Sequence, residues 1–201
     1  MAPRTASEPT ALDVEGAPRD RMESPALSQG APALGPIALV DVHYHAEGAR
    51  AACVLAEQWT DATPCAEWTV EIASVAPYRP GHFFERELPC LIQVLARAPT
   101  PPRVIVVDGY VVLDAAGTLG LGGHLFAHFQ GQVPIIGLAK RSFARSAFAT
   151  RLLRGYSRSP LFVTALGVPV QDARALISGM HGDHRMPTLC TRVDQLCRGL
   201  R

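Results

Sequence analysis

Three acidic side chains stand at points of the sequence where an acid is unexpected. Asp41 closes the first apolar run, Asp108 closes a later one, and Glu87 begins a helix that follows a Pro-Gly turn. Aspartate is disfavoured in strands and costly to bury without a partner, so two such positions suggest a shared purpose. Carboxylate oxygens are the ligands that Mg²⁺ prefers, and a few suffice because the ion keeps several waters. The set predicts a divalent-cation site, whereas a single strand-end aspartate could equally be a turn or helix-cap acceptor.

The apolar pattern predicts the elements that must position these acids. β-branched runs and alternating residues predict strands, and leucines at helical spacing predict helices. The predicted strands cover residues 37–42, 49–57, 69–75, 103–109, 133–139 and 161–164, and the predicted helices cover 85–98, 124–128, 170–179 and 191–200. Hairpin strands followed by strands that alternate with helices indicate an α/β fold with a mixed central sheet, antiparallel first and then parallel, and helices on its faces.

The 201 residues divide into a tail and one domain. Residues 1–36 contain six prolines and no aromatic residue, so we predict a disordered Pro/Ala-rich tail and a folded domain over 37–201. The sequence has no run of 18 apolar residues and no apolar segment near Met1, which predicts a cytoplasmic protein without a membrane span. Five irregularly spaced cysteines are expected to be reduced thiols.

The charges are unevenly distributed although the net charge is only +1. Residues 115–171 contain no Asp or Glu, and this stretch carries a basic block made of Lys140, Arg141, Arg145, Arg151, Arg154 and Arg158. Such a block favours a polyanionic partner, although it could also be a solvated face that binds nothing. Lys140 is the single lysine among 19 basic residues, which suggests a compact ammonium with a specific task.

Five segments, in order along residues 37–198, resemble motifs of the endonuclease V family. The segments are 40–44 (Val-Asp-Val-His-Tyr), 77–89 (from Pro-Tyr-Arg-Pro-Gly to Arg-Glu-Leu-Pro), 107–109 with 120–125, 134–140 (Pro-Ile-Ile-Gly-Leu-Ala-Lys), and 185–187 (Arg-Met-Pro) with Asp194. The resemblance implies a ribonuclease H-like fold with helices on both faces of the sheet. It also implies a metal-dependent nuclease that cuts nucleic acid near deaminated purines.

The resemblance also implies a role for each matching acid and for the lysine. Asp41, Glu87 and Asp108 would bind Mg²⁺, for which Mn²⁺ could substitute, and Asp194 would be a fourth acid near the ion. Lys140 would lie beside the scissile phosphate or the attacking water. The implied reaction is hydrolysis of a phosphodiester bond 3′ to deoxyinosine in DNA or inosine in RNA, which leaves a 3′-hydroxyl and a 5′-phosphate. We expect the protein to act as a monomer.

Further family positions imply a pocket for a flipped base. Tyr78, on a turn stiffened by Pro80, would enter the duplex as a wedge, and stacking would recover part of the cost of unstacking. The alternative is a tyrosine that caps the core. The remaining residues that the resemblance assigns to substrate binding are Gly81, Phe83, Gly109 and His124.

The sequence departs from the family pattern after Asp108. The family continues Asp-Gly-x-Gly-x-x-His-Pro, whereas residues 108–114 read Asp-Gly-Tyr-Val-Val-Leu-Asp. Val111 carries a Cβ where the family has glycine, which puts the lesion preference in doubt, and Asp114 could supply the missing polar group or simply serve its loop. Two alternatives therefore stay open: a nucleic-acid-binding member of the fold with altered catalysis, and a ribonuclease H-like nuclease without base preference.

Overall fold

The computed structural model describes residues 35–77, 79–143 and 149–200. Three predicted features lie outside the described residues: most of the tail, the proposed wedge residue Tyr78, and one member of the basic block, Arg145. The boundary predicted between tail and domain, at residues 36 and 37, therefore stays a prediction. Strand β1 begins at Ile37, the first residue of the predicted domain.

A seven-stranded sheet forms the centre of the described chain. The strands are β1 (Ile37–His45), β2 (Gly48–Ala56), β3 (Ala66–Ile72), β4 (Val104–Asp108), β5 (Ile135–Ala139), β6 (Thr150–Leu152) and β7 (Leu161–Leu166). Their order across the sheet is β3-β2-β1-β4-β5-β7-β6. Strands β1, β4 and β5 are parallel neighbours, and β2, β3, β7 and β6 join by antiparallel pairing. The predicted mixed sheet is confirmed, with a second antiparallel region at its far edge.

Helices cover both faces of the sheet, as predicted. They are α1 (Phe83–Leu95), α2 (Leu121–His128), α3 (Val170–Gly179) and α4 (Thr188–Cys197). Alternate residues of β1 show why two layers form: Leu39 packs with the side chains of α3 and α4, and Val40 packs with those of α1 and α2. No helix in the described part of the chain is long and apolar enough to cross a bilayer.

Several predicted boundaries were wrong for identifiable reasons. Strand β1 continues past Asp41 to His45, because its antiparallel pairing with β2 runs to the end of the hairpin. Strand β6 was missed, since three residues are too few for a periodic signal. Helix α2 begins at Leu121 and not at 124, so two glycines lie inside it. A Cβ on the second of them, Gly123, would lie 2.4 Å from the carbonyl oxygen of Val111. Helix α4 begins at Thr188, three residues earlier than predicted.

Candidate metal and nuclease site

Asp41 and Asp108 occupy equivalent positions on two neighbouring parallel strands. The last residue pair between β1 and β4 is Val40 with Val107, so each aspartate is the next residue on its strand. Because side chains alternate between the two faces of a strand, both aspartates lie on the face that carries Leu39 and Val106 beneath α4. The sequence suggested that Asp41 ends the first strand, but β1 continues to His45 and Asp41 lies within it. Asp41 does stand where the parallel pairing of β1 with β4 stops.

Lys140 and Asp194 complete the same end of the sheet. Lys140 directly follows β5, and its Nζ donates a hydrogen bond to Asp108 Oδ2 at 2.8 Å. Asp194 comes from α4, where Arg198 holds its carboxylate through two N–H donors at 3.0 and 3.1 Å. One cavity is lined by both strand aspartates, by Lys140 and by Asp194, and its apolar walls include Met186, Cys190 and Val193.

Glu87 approaches from the opposite face of the sheet. It lies on α1, is only 5% exposed, and its Oε2 has no hydrogen-bond partner among the described residues. Burial raises the pKa of Glu87 well above its ordinary value, and the negative charges of Asp41 and Asp108 raise it further. A buried carboxylate without a partner is costly, so this side chain requires either a proton or a cation.

Burial also disfavours the charged form of Asp41. Burial raises its pKa to about 6, the charge of Asp108 adds to the rise, and the hydrogen bond from the Val42 amide partly opposes it. The Cys197 thiol donates to Asp41 Oδ2 at 3.6 Å, which is a weak contact. Burial alone would lower the pKa of Lys140, but the hydrogen bond and charge of Asp108 outweigh it, so the pKa is raised.

The donor set fits a hydrated divalent cation. Within the described ranges, no three His, Cys, Asp or Glu side chains are grouped closely enough to hold a metal ion by themselves. What the site offers is hard oxygen ligands, including the unpartnered Oε2 of Glu87. Burial raises the pKa values of Asp41 and Glu87, and the charges of the neighbouring acids raise them further. Mg²⁺ keeps several waters and needs few protein ligands, and it would relieve this excess of negative charge.

Arg185 fastens the backbone that carries Lys140. Its Nη2 donates to the carbonyl oxygen of Lys140 and, at 2.7 Å, to that of Pro160, the residue before β7. The side chain therefore ties the end of β5 to the start of β7. In the sequence, Arg185 stands out only as part of a motif, because backbone acceptors leave no signal in a sequence.

The residues assigned to substrate binding lie in two places near the acids. Pro80 and Gly81 lie in the exposed segment before α1 and Phe83 is the first residue of that helix, while Gly109 directly follows Asp108. Gly81 and Gly109 have positive φ values of 81° and 139°, and open space lies where a Cβ would be. The Gly109 amide donates to the carbonyl oxygen of Leu138, but the open space beside both glycines leaves room for close approach of a ligand.

His124 and α1 are joined by an aromatic contact. The rings of His124 and Phe84 stack with centroids 3.6 Å apart and planes 13° apart. Burial lowers the pKa of His124, so the neutral imidazole is favoured. Glu85 accepts from Arg79 at 3.2 Å and is paired with His82 Nδ1 at 2.9 Å, which fixes the turn before α1. Phe84 and Glu85 thus have local structural roles at the start of α1.

The altered motif after Asp108 is part of the core. Val111 is fully buried, and its amide donates to Thr164 Oγ1 at 2.9 Å. Asp114 accepts from the amides of Ala116 and Thr118 and from the Thr118 hydroxyl, so its carboxylate organises its own loop. Of the two readings of Asp114, these contacts favour the loop residue.

Among the described residues of the basic block, Arg154 is not on the surface. Arg154 is only 6% exposed, and its guanidinium donates to the carbonyl oxygens of His184 and Met180. The expectation that it contributes to a polyanion-binding face was therefore wrong. Arg141, Arg151 and Arg158 are exposed.

Solved structures with the same architecture define the class of protein. Endonuclease V of Streptomyces avermitilis aligns with a TM-score of 0.66 and 29% identity over 86% of this chain and 85% of that one. Endonuclease V of Ciona intestinalis, solved with a 24mer DNA containing an inosine followed by a ribo-adenosine, aligns with a TM-score of 0.70 and 18% identity over 83% and 85% of the two chains. The fold is ribonuclease H-like, and the protein is a nuclease that hydrolyses phosphodiester bonds.

Sequence comparison identifies the family. The family profile described as Endonuclease V matches residues 23–188. The curated endonuclease V of S. avermitilis is 32% identical over 190 residues, which cover 83% of this chain and 81% of the relative, and that of Streptomyces coelicolor is 31% identical over similar shares. The chain belongs to the endonuclease V family.

Proposed function

We propose that this protein is a Mg²⁺-dependent endonuclease that cuts nucleic acid strands containing inosine, with Mn²⁺ able to replace Mg²⁺. The observation that carries the proposal is the convergence of Asp41, Asp108 and Lys140 at one sheet end, with the buried, unpartnered Glu87 beside them. A relative of the same fold was solved with DNA that contains an inosine, which supports inosine as the recognised base.

Asp41, Glu87 and Asp108 would hold the metal. A bound divalent cation supplies charge neutralisation at the phosphate and a more acidic water. Lys140 has a raised pKa and stays protonated at neutral pH, so its ammonium acts as a donor to a phosphate oxygen and not as a base. Asp194, held by Arg198, is available to orient a water in the cavity.

Base recognition would involve the segment before α1 and the backbone after Asp108. Tyr78 is proposed as the wedge that replaces an extruded base, on the turn containing Pro80. The open space beside Gly81 and Gly109 would let the edge of hypoxanthine approach their backbone, with Phe83 and His124 lining the approach. The proposed cut lies 3′ to the deaminated purine and leaves a 3′-hydroxyl and a 5′-phosphate.

The test compares matched strands that differ at one base. Labelled DNA and RNA oligonucleotides with inosine or guanosine at the same position are incubated with the protein and Mg²⁺, Mn²⁺ or a chelator. We expect cleavage of an inosine strand with either metal, little cleavage of the guanosine strand, and none with the chelator. Equal cleavage of both strands would favour the nuclease without base preference, and binding without cleavage would favour the catalytically altered member.

A further inference from the structure

We propose that the loop between β6 and β7, residues 153–160, is a second nucleic-acid contact in which Tyr156 stacks on a base of the substrate strand outside the cleavage site. The inference rests on the proposed function, since it assigns a further contact to the same substrate. It concerns a segment that none of the family-like motifs includes.

The sheet topology places this loop at the edge where the catalytic acids lie. Strand β7 runs antiparallel to β5 and pairs Phe162 with Ala139, so β7 starts beside Lys140. Strand β6 ends opposite that start, where Leu152 pairs with Leu161. The loop therefore emerges one to two strand spacings from Lys140, roughly 5–10 Å along the sheet edge. A strand bound at the active site passes within a few nucleotides of it.

The base of the loop is held rigidly. The buried Arg154 donates to the backbone of His184 and Met180, and a Cβ on Gly155 would lie 1.9 Å from the carbonyl oxygen of Asp183. Gly155 also has a φ of +56°, which glycine adopts most easily. Arg154 and Gly155 thus fasten the loop to residues 180–184, which precede α4. The chain turns outward at the next residue, Tyr156.

The tip of the loop presents an aromatic ring to solvent. Tyr156 is 94% exposed and Leu153 is 63% exposed, so neither side chain contributes much to the core. A large apolar ring on a rigid support is the arrangement that proteins use to stack unpaired bases, because every base has a stacking face. A single exposed aromatic can be incidental, but the charge around this one favours a particular ligand.

The charges of the loop match a polyanion. No acidic residue occurs in the sequence from 115 to 171, and Arg151 and Arg158 are exposed on either side of Tyr156. The charge of Asp183, in the segment to which the loop is fastened, acts on the buried Arg154. The positive charge of the loop surface comes from the exposed Arg151 and Arg158. An aromatic ring flanked by arginines selects a single nucleic-acid strand over an acidic protein surface.

The experiment measures binding of fluorescent inosine strands by the wild-type protein, Tyr156→Ala and the matched control Tyr156→Phe. Ca²⁺ replaces Mg²⁺ so that the strands stay intact, and each strand is shortened stepwise from either end. We expect Tyr156→Ala to weaken binding of the long strand roughly 5- to 100-fold, the loss found when a stacking aromatic is removed, and Tyr156→Phe to bind like wild type. On strands too short to reach the loop, all three proteins should bind equally.

The outcomes separate this inference from the proposed function. Equal binding of the long strand by wild type and Tyr156→Ala would overturn the inference and leave the loop free for a protein partner. An equal loss on strands of every length would also overturn it, because the effect would then come from the fold. A wild-type protein that binds no inosine strand would instead contradict the proposed function. Melting temperatures should be unchanged, since the side chain is almost fully exposed.

Discussion

Lys140 Nζ and Asp108 Oδ2 lie 2.8 Å apart, at the ends of neighbouring parallel strands. The pairing explains the contact: Asp108 pairs with Leu138, and Lys140 is two residues further along on the same face. The register therefore delivers an ammonium to one of the predicted metal ligands. Each group is more than a third exposed, so the pair contributes little to the stability of the fold, and its importance is chemical.

Replacing Lys140 should impair catalysis more than substrate binding. We expect Lys140→Ala to lower kcat roughly 100- to 1,000-fold, the effect of removing a donor that stabilises developing charge, while KM changes little. Lys140→Arg should recover only part of the rate, because guanidinium is planar and longer. Steady-state kinetics on an inosine strand would measure this, and a Lys140→Ala enzyme with the wild-type kcat would remove the lysine from the mechanism.

Arg185 is predicted to act by positioning Lys140. Arg185→Ala removes the donors to the Lys140 and Pro160 carbonyl oxygens, and we expect kcat to fall roughly 10- to 100-fold, the upper value being the general estimate for a catalytic group misplaced by about 1 Å. Arg174→Ala is the matched control, because Arg174 also donates to a backbone carbonyl, that of Arg151 on the edge strand β6, and among the described residues it has no hydrogen bond to Lys140 or β5. The position of the pH profile should shift in Arg185→Ala and not in Arg174→Ala. Equal kinetics in both variants would reduce Arg185 to a structural contact.

Stability without metal should depend on pH through Asp41. Its pKa rises from 3.8 to about 6 on folding, so its neutral form is favoured in the folded state. The contribution of the neutral Asp41 side chain to the free energy of unfolding is fully present below about pH 4 and is lost as the pH rises through 6. At pH 7.5 with chelator, Asp41→Asn should therefore be more stable than wild type, by at most about 3 kcal/mol, whereas at pH 4 the two should be similar.

Mg²⁺ should reverse this loss in the wild type. A cation that binds only the folded state raises its stability by mass action, so the melting temperature of wild type at pH 7.5 should rise with Mg²⁺ or Mn²⁺ concentration. Asp41→Asn should show a smaller rise. Thermal unfolding at both pH values measures both effects, and a pH-independent difference between the two proteins would contradict the electrostatic account.

The Tyr78 prediction rests on the sequence alone. If the ring replaces an extruded base, Tyr78→Ala should lose most of the preference for inosine in duplexes while retaining a Mn²⁺-supported cut in flexible single strands, where extrusion costs little. Tyr78→Phe is the matched control and should keep the preference. Unchanged discrimination in a folded Tyr78→Ala protein would favour the nuclease without base preference. A lowered melting temperature together with loss of every activity would favour the core tyrosine.

The sequence predicted the sheet and its acids because both depend on local patterns. Asp41 and Asp108 follow apolar runs long enough to identify strands, and parallel pairing then brings them together. Side-chain contacts to backbone groups have no such pattern in the sequence. Arg154 lies in a stretch whose composition indicates a basic surface, yet it is buried against two carbonyl oxygens. The contact of Arg185 with the carbonyl oxygen of Lys140 likewise joins residues far apart in the sequence.

The central claim is that Asp108 and its neighbouring acids hold a divalent cation that cleavage requires. The most direct measurement is the initial rate of cutting of one inosine strand by wild type and Asp108→Asn, each across a range of Mg²⁺ concentrations and with chelator. We predict a saturable Mg²⁺ dependence in wild type, no activity with chelator, and no detectable cleavage by a folded Asp108→Asn protein that still binds the strand. Cleavage by Asp108→Asn near the wild-type rate, or wild-type activity that survives chelation, would contradict the account.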